Sequence, residues 1–298
     1  MRIATNSVSD SIVRQIQSLS SQQARLQNQV STGQRIFQAE DDPSAVGRVL
    51  NLETEQRQIA QYTRNTDRAL ELSQATFSGL QGIKKVSDRA TEIGTLGSGA
   101  TSPDAMRAYA SEVGQLIEQA LQLANTKLGN DYLYAGTAVD APPFVATRDA
   151  SGQITSVAYA GNAARTDIPL SSSSSIAPGT TGDTNLGLRD FLNHLVSLRD
   201  GLTAADTAAV TTAQTGLIGT EDELVSALGE HGGIQSRIEA NQAQQKDLAT
   251  SLESLVSKET DADLPTTIVK LNQTQTAYQA ALQSAANIMR ISLLDYIK

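Results

Sequence analysis

The 298-residue chain contains no cysteine and no tryptophan, and aromatic residues make up only 4% of it. The missing cysteines exclude disulfide bonds and thiolate metal sites. The scarcity of aromatic side chains argues against one large globular core and favours an elongated molecule. No stretch reaches the length that a bilayer-spanning helix needs. The N-terminus also lacks the apolar core and cleavage site of a secretory signal peptide, so we expect any export to use a route that reads no cleaved signal.

Basic residues are outnumbered by acidic ones. The formal net charge is −9 and the sequence pI is about 4.8. A negative surface repels nucleic-acid phosphates and anionic lipids. We therefore expect neither a nucleic acid nor a membrane as a partner.

Both ends of the chain show an apolar helical pattern with few charges. Between Leu264 and Asn287 the only charged side chain is Lys270. Residues three, four and seven apart share one face of a helix, so each end presents a stripe that requires a partner helix. We predict that the two ends pair as a coiled coil and form an assembly interface. Its residues are Ile12, Ile16, Leu19, Leu26 and Val30 at the N-terminus, and Leu264, Ile268, Leu271, Tyr278, Leu282, Ala285 and Met289 at the C-terminus.

Changes of pattern divide the region between the two ends. Gly33 can end the first helix, and Asp42 followed by Pro43 is a good start for the second. Apolar and polar residues alternate after Gly129, with a hairpin-like turn at 149–152. We predict a mainly α fold with long antiparallel helices, a terminal coiled coil and a small β-rich inserted domain. Its parts are an N-terminal coiled-coil arm and loop (1–43), an inner helical domain (44–129 and 186–260), a β-rich outer insertion with flexible loops (130–185) and a C-terminal coiled-coil arm (261–298).

No motif in the sequence indicates catalysis. The two histidines, His194 and His231, have no metal-ligand spacing, and we interpret both as helix-surface residues. The acidic cluster Glu40, Asp41 and Asp42 precedes a helix, where negative charge is favoured. We expect no enzyme activity, no cofactor and no metal.

Four segments of the chain carry a resemblance to a known family. They are QVSTGQRIFQAEDDPSA, RNTDRALELSQATFSGLQGI, LANTKLGNDYLYAGTAVDAPPF and QTAYQAALQSAANIMRISLLDYIK, and they resemble bacterial flagellins. The loop signature of that family corresponds to Gly33, Arg35, Asp41, Asp42 and Pro43. The proline after the two aspartates, the YLYAGT run and the SLLDY ending are more similar to the branch that joins the flagellar hook to the filament. The resemblance covers residues 1 to about 144 and about 205 to 298.

The resemblance implies a structural flagellar component needed for motility. It implies that the protein is extracellular and reaches the flagellum through type III export. Its partners would be copies of itself, a second junction protein, flagellin and a cytosolic export chaperone. Two alternatives remain open at this point: a filament-forming flagellin, and a secreted helical interaction protein.

Overall fold

The computed structural model describes the backbone of residues 2–99 and 102–297 and the side chains of residues 10–99 and 102–287. Within these ranges the helices are α1 (Arg2–Thr32), α2 (Pro43–Ser98), α3 (Pro103–Ala124), α4 (Gly182–Thr203), α5 (Thr207–Thr260) and α6 (Leu264–Ile297). The strands are β1 (Lys127–Leu128), β2 (Asp131–Tyr132), β3 (Phe144–Arg148), β4 (Ile154–Tyr159), β5 (Ile168–Pro169) and β6 (Ser175–Ile176). The predicted fold class, mainly α with a small β-containing region, is confirmed.

The chain divides into two compact units. Unit 1 contains residues 1–58 and 248–298, and unit 2 contains residues 59–247. Helices α1 and α6 lie in unit 1, and α3, α4 and all the strands lie in unit 2. Helices α2 and α5 contribute one segment to each unit.

The helix ends form where the sequence places stop and start residues. Gly33 adopts a positive φ of 72°, which ends α1 at no steric cost. Asp42 caps α2, because its carboxylate accepts a hydrogen bond of 3.0 Å from the backbone N–H of Ala45. Pro43 then occupies the first helical position, where its missing N–H is not needed. The predicted break between the first two helices is confirmed.

Unit 2 has a helical core. Helix α3 packs against α4, and polar contacts join α2 to α5: Lys84 Nζ lies 2.9 Å from Glu221 Oε1. Each helix contributes large apolar side chains that are almost fully buried. They include Leu80, Ile83 and Ile93 of α2, Val113 and Ile117 of α3, Leu192, Leu195 and Leu198 of α4, and Val210 and Leu217 of α5.

The largest strand pair is the antiparallel hairpin β3–β4, in which Phe144 pairs with Tyr159 and Thr147 with Ser156. The carboxylate of Asp149 accepts hydrogen bonds from the N–H groups of Ser151 at 2.8 Å and Gln153 at 2.9 Å. These bonds close the turn that the sequence predicts at 149–152.

The segment predicted as an outer insertion of flexible loops shares the core of unit 2. Tyr134 and Phe144 are buried, and the Tyr134 hydroxyl donates a hydrogen bond of 3.0 Å to the carbonyl of Thr76 on α2. The strands begin at Lys127, before the predicted boundary at 130, and α4 begins at Gly182. Two-stranded pairs cannot bury an apolar face by themselves, so this segment packs on the helices.

The predicted surface position of the histidines is wrong for His231. Only 2% of its surface is exposed, whereas His194 is half-buried. The buried face of α5 contains Leu224, Ala227, Ile234 and Ile238. His231 lies three or four residues from its neighbours in that series and therefore shares their face.

Candidate assembly surface

Helix α1 packs against α6 in unit 1. The covered residues of α1 lie alternately four and three residues apart, which is the spacing of one face in a coiled coil. They are Ile12, Ile16, Leu19, Gln23, Leu26 and Val30, and Gln29 beside this line is also partly covered. Leu26 is the most buried of these, at 7% exposure. The five apolar positions are the ones that the sequence singles out, and Gln23 is an addition that hydrophobicity alone does not indicate.

The covered face of α6 shows the same alternation but consists mainly of small residues. It contains Thr267, Leu271, Thr274, Tyr278, Ala281 and Ala285. Leu271, Tyr278 and Ala285 belong to the predicted interface. The covered residues Thr267, Thr274 and Ala281 were not predicted, because they are small or polar and the prediction used large apolar residues. The alternating spacing that starts at Leu271 is the signal that would have found them.

The remaining predicted residues of α6 lie on an uncovered face. Leu264, Ile268 and Leu282 are 40%, 44% and 43% exposed. We call these three residues the outer stripe. The side chain of Met289, which continues their spacing, lies outside the described residues. Helix α6 therefore has two apolar lines, of which α1 covers one.

An uncovered apolar line on a helix with few charges is typical of a protein-protein contact. A solvent-facing helix normally carries charges on its outer side. Here Lys270 is the single charge between Leu264 and Asn287. The geometry therefore suits contact with another polypeptide more than contact with water.

The loop between α1 and α2 contacts the loop between α5 and α6. The backbone N–H of Arg35 donates a hydrogen bond of 2.6 Å to the carbonyl of Thr260, and Ala262 donates one of 2.8 Å to the carbonyl of Gly33. The guanidinium of Arg35 also donates to the carbonyl of Glu259, at 2.8 Å. We call this the two-loop contact. It fixes the ends of α1 and α6 next to each other.

The two aspartates of the loop signature accept hydrogen bonds from nearby backbone N–H groups and so stabilise the loop conformation. Asp41 accepts hydrogen bonds of 3.0 Å from the N–H groups of Phe37 and Gln38. These bonds hold the pKa of Asp41 below its usual value. The N–H of Ala45 and the guanidinium of Arg35 likewise lower the pKa of Asp42. All five signature residues thus have a structural position in or beside the two-loop contact.

A further ion pair reinforces this contact. Arg48 of α2 donates two hydrogen bonds to the carboxylate of Glu259 of α5, at 3.0 and 2.8 Å. The pairing lowers the pKa of Glu259. No sequence pattern indicates this ion pair, because 211 positions separate the two residues and neither lies in a motif.

The lowered carboxylate pKa values make the two-loop contact sensitive to acid. A carboxylate with a lower pKa in the folded state stabilises the fold above its unfolded pKa, and that contribution is lost as pH falls. We expect amide exchange at Phe37 and Gln38 to accelerate, relative to the intrinsic rate, below about pH 4. Asp41→Ala, which removes the acceptor of both hydrogen bonds, should show fast exchange already at pH 7. Glu40→Ala, a change at the exposed neighbouring residue, is the control; equal acceleration in both variants would contradict the role of Asp41.

The same loop presents an aromatic side chain to solvent. Phe37 is 59% exposed, although its backbone N–H is fixed by Asp41. Aromatic residues are over-represented in the energetically important part of protein interfaces. Phe37 therefore adds a second candidate contact to the outer stripe.

Neither a metal site nor a membrane span is found in the described part of the chain. No group of three or more potential metal ligands occurs among those residues, and no helix there is long and apolar enough to cross a bilayer.

Comparison with known proteins shows what this chain is similar to. Residues 3–138 match the bacterial flagellin N-terminal helical region. Flagellar hook-associated protein 3 of Escherichia coli is 25% identical over 325 residues, which cover 100% of both proteins. Flagellar hook-associated protein 3 of Salmonella typhimurium is 25% identical over 314 residues, which cover 99% of both.

A solved structure shares the fold. The crystal structure of Bacillus cereus FlgL superimposes with a TM-score of 0.61 at 17% sequence identity, and the match covers 70% of this chain and 99% of that one. The resemblance to bacterial flagellins is therefore confirmed, and the chain is similar over its whole length to flagellar hook-associated protein 3.

Proposed function

We propose that this protein is a structural component of the bacterial flagellum that joins the hook to the filament. One observation carries the proposal beyond the family resemblance. Helix α6 has two apolar lines, and a single chain covers one of them with α1 while the outer stripe stays exposed. A neighbouring subunit is the natural cover for the second line.

The candidate contacts suit an interface between unlike surfaces. The outer stripe lies on a helix, whereas Phe37 lies on a loop. A contact in which one patch of a subunit meets a different patch of the next generates rings or helical arrays instead of closed dimers. In such an array, subunits of one protein can bind to subunits of a different protein above or below them. A junction between two polymers requires this kind of contact.

The partners of this interface would be copies of the chain and neighbouring flagellar proteins. A second junction protein and flagellin are the expected neighbours at its two ends. A cytosolic chaperone would cover the outer stripe before export, because exposed apolar lines promote aggregation. The protein would act outside the cell, after type III export without a cleaved signal. Nothing in its charge favours nucleic acid or membranes, since the formal net charge is −9.

Deletion of the gene from its own bacterium tests the proposal. We expect cells with intact hooks, no filaments and flagellin released into the medium, and we expect the wild-type gene to restore filaments. Electron microscopy and analysis of the culture medium provide the two readouts. Normal filaments in the deletion strain would contradict the junction role.

A filament-forming flagellin is the second candidate, because residues 3–138 match a region described for flagellins. Expression of this chain in a strain without flagellin separates the two functions. A junction protein should form no filament there. A long filament composed of this chain would establish the alternative.

A further inference from the structure

His231 occupies a core position in the middle of α5. The buried face of that helix contains, in order, Leu224, Ala227, His231, Ile234 and Ile238. The intervals of three and four residues match the spacing of one helix face. The ionisable imidazole of His231 therefore lies on a helix face whose other buried residues are apolar.

One nitrogen of the His231 imidazole is buried without a hydrogen bond. Neither Nδ1 of His231 nor Nδ1 of His194 has a hydrogen-bond partner among the described residues, but His194 is only half-buried, whereas His231 is 2% exposed. Hydrogen bonds from Gln235 to the carbonyl of Ser73 and from Gln242 to Asp67 show that α2 runs antiparallel to this part of α5. The facing stretch of α2, residues 72–83, contains no charged residue.

Two charged groups on different elements lie near the ring, and they shift the pKa of His231 in opposite directions. Glu230 of α5 favours the imidazolium, whereas Arg165, in the loop after β4, disfavours it. The two residues form an ion pair of 3.6 Å with each other. Asp167 of the same loop is exposed. Burial dominates this balance and lowers the pKa of His231.

The helix around His231 is weak. Gly229, Gly232 and Gly233 flank it, and a Cβ atom at any of the three would meet open space. No close packing therefore requires glycine at these positions. Each glycine disfavours helix relative to alanine, because it loses more backbone entropy on folding.

The part of α5 that follows these glycines contacts a loop-rich segment. Leu170 and Ile176 pack with Ile234 and Ile238 in a small apolar cluster, and Gln245 of α5 donates a hydrogen bond of 2.7 Å to the carbonyl of Leu170. Opening of α5 at the glycines would disturb this cluster and the ion pair between Arg165 and Glu230.

We propose that His231 is an acid-triggered opening point, at which protonation opens α5 around residues 229–233 and weakens the packing of residues 165–176 on α5. The sign of the effect follows from proton linkage. A histidine whose folded pKa is lowered is neutral in both states above about pH 6.5. As pH falls below that value the unfolded or opened state binds more protons, so opening becomes more favourable.

The composition of the chain makes the test specific. His194 and His231 are the only histidines, and side chains of other types rarely titrate between pH 5 and 7.5. Amide exchange of the full-length protein would be measured across this range and corrected for the intrinsic rate. We expect protection of residues 229–238 to fall several-fold from pH 7.5 to pH 5, with protection of the α3–α4 core unchanged.

Two matched variants decide whether His231 is responsible. His231→Phe keeps an aromatic ring at the core position but cannot bind a proton, so the pH dependence should disappear. His194→Phe removes the other, half-buried histidine and should keep the wild-type pH dependence. If His231→Phe does not fold, His231→Gln replaces it with the same expected result.

Two results would overturn the proposal. One is equal protection of residues 229–238 at pH 5 and pH 7.5 in the wild type. The other is an unchanged loss of protection in the folded His231 variant. Because the test monitors the isolated protein, it gives its answer whether or not the chain joins hook to filament.

Discussion

Leu282→Asp is expected to abolish incorporation into the flagellum while the single chain stays folded. Leu282 is 43% exposed in the isolated chain, so a carboxylate there would remain hydrated. If a neighbouring subunit covers the outer stripe, the same carboxylate becomes a buried, unpaired charge, which costs about 3–5 kcal/mol. Since about 1.4 kcal/mol corresponds to a tenfold change, each contact would weaken by a factor on the order of 10²–10³.

Two further variants on α6 make this experiment specific. Gln283→Asp places the same group at the next, exposed position, which lies away from both apolar lines, and it should support normal assembly. Ala285→Asp places it on the face covered by α1 and should lower the thermal stability of the monomer. Thermal unfolding and electron microscopy of complemented cells give the two readouts. Normal filaments with Leu282→Asp would mean that the outer stripe is not an assembly contact.

Phe144→Ala should strongly destabilise unit 2. Phe144 is 2% exposed, and its ring centroid lies 5.3 Å from that of Tyr159. Removing a buried phenyl ring costs about 3–5 kcal/mol, through lost apolar burial and the cavity that remains. For a unit of this size the melting temperature should fall by on the order of 10 °C. Thermal unfolding followed by circular dichroism measures the change.

The neighbouring residue provides the control. Val145 lies in the same strand but is 50% exposed, so Val145→Ala should change stability by less than about 0.5 kcal/mol. The comparison also tests whether the β-containing segment belongs to the core. A melting temperature unchanged by Phe144→Ala would restore its interpretation as an independent outer insertion.

Local sequence signals predicted several features of the fold correctly. The stop at Gly33, the cap at Asp42 and the turn at 149–152 each depend on a few adjacent residues. Backbone conformation at such positions is set by local sterics and short-range hydrogen bonds, which the sequence contains directly. For the same reason the spacing in α1 predicted which of its residues share a face.

The face of α6 that meets α1 could not be predicted in this way. The pattern of large apolar residues predicted that Leu264, Ile268 and Leu282 would be covered, but the structure leaves these three exposed. It covers the smaller residues Thr267, Thr274 and Ala281 instead. The distance between packed helices depends on the side chains at their contact, and small residues permit a close approach. Hydrophobicity by itself does not tell which of two neighbouring apolar lines on a helix packs against its partner.

The sequence by itself determined the helical composition, the break between α1 and α2, the apolar ends and the resemblance to flagellins. Each of these depends on residue type and on spacing along the chain. Only the tertiary structure decided that Arg48 meets Glu259, that Tyr134 and Phe144 enter the helical core, and that His231 is buried. These outcomes depend on which distant segments become neighbours, and that choice minimises the free energy of the whole chain, not of any single segment.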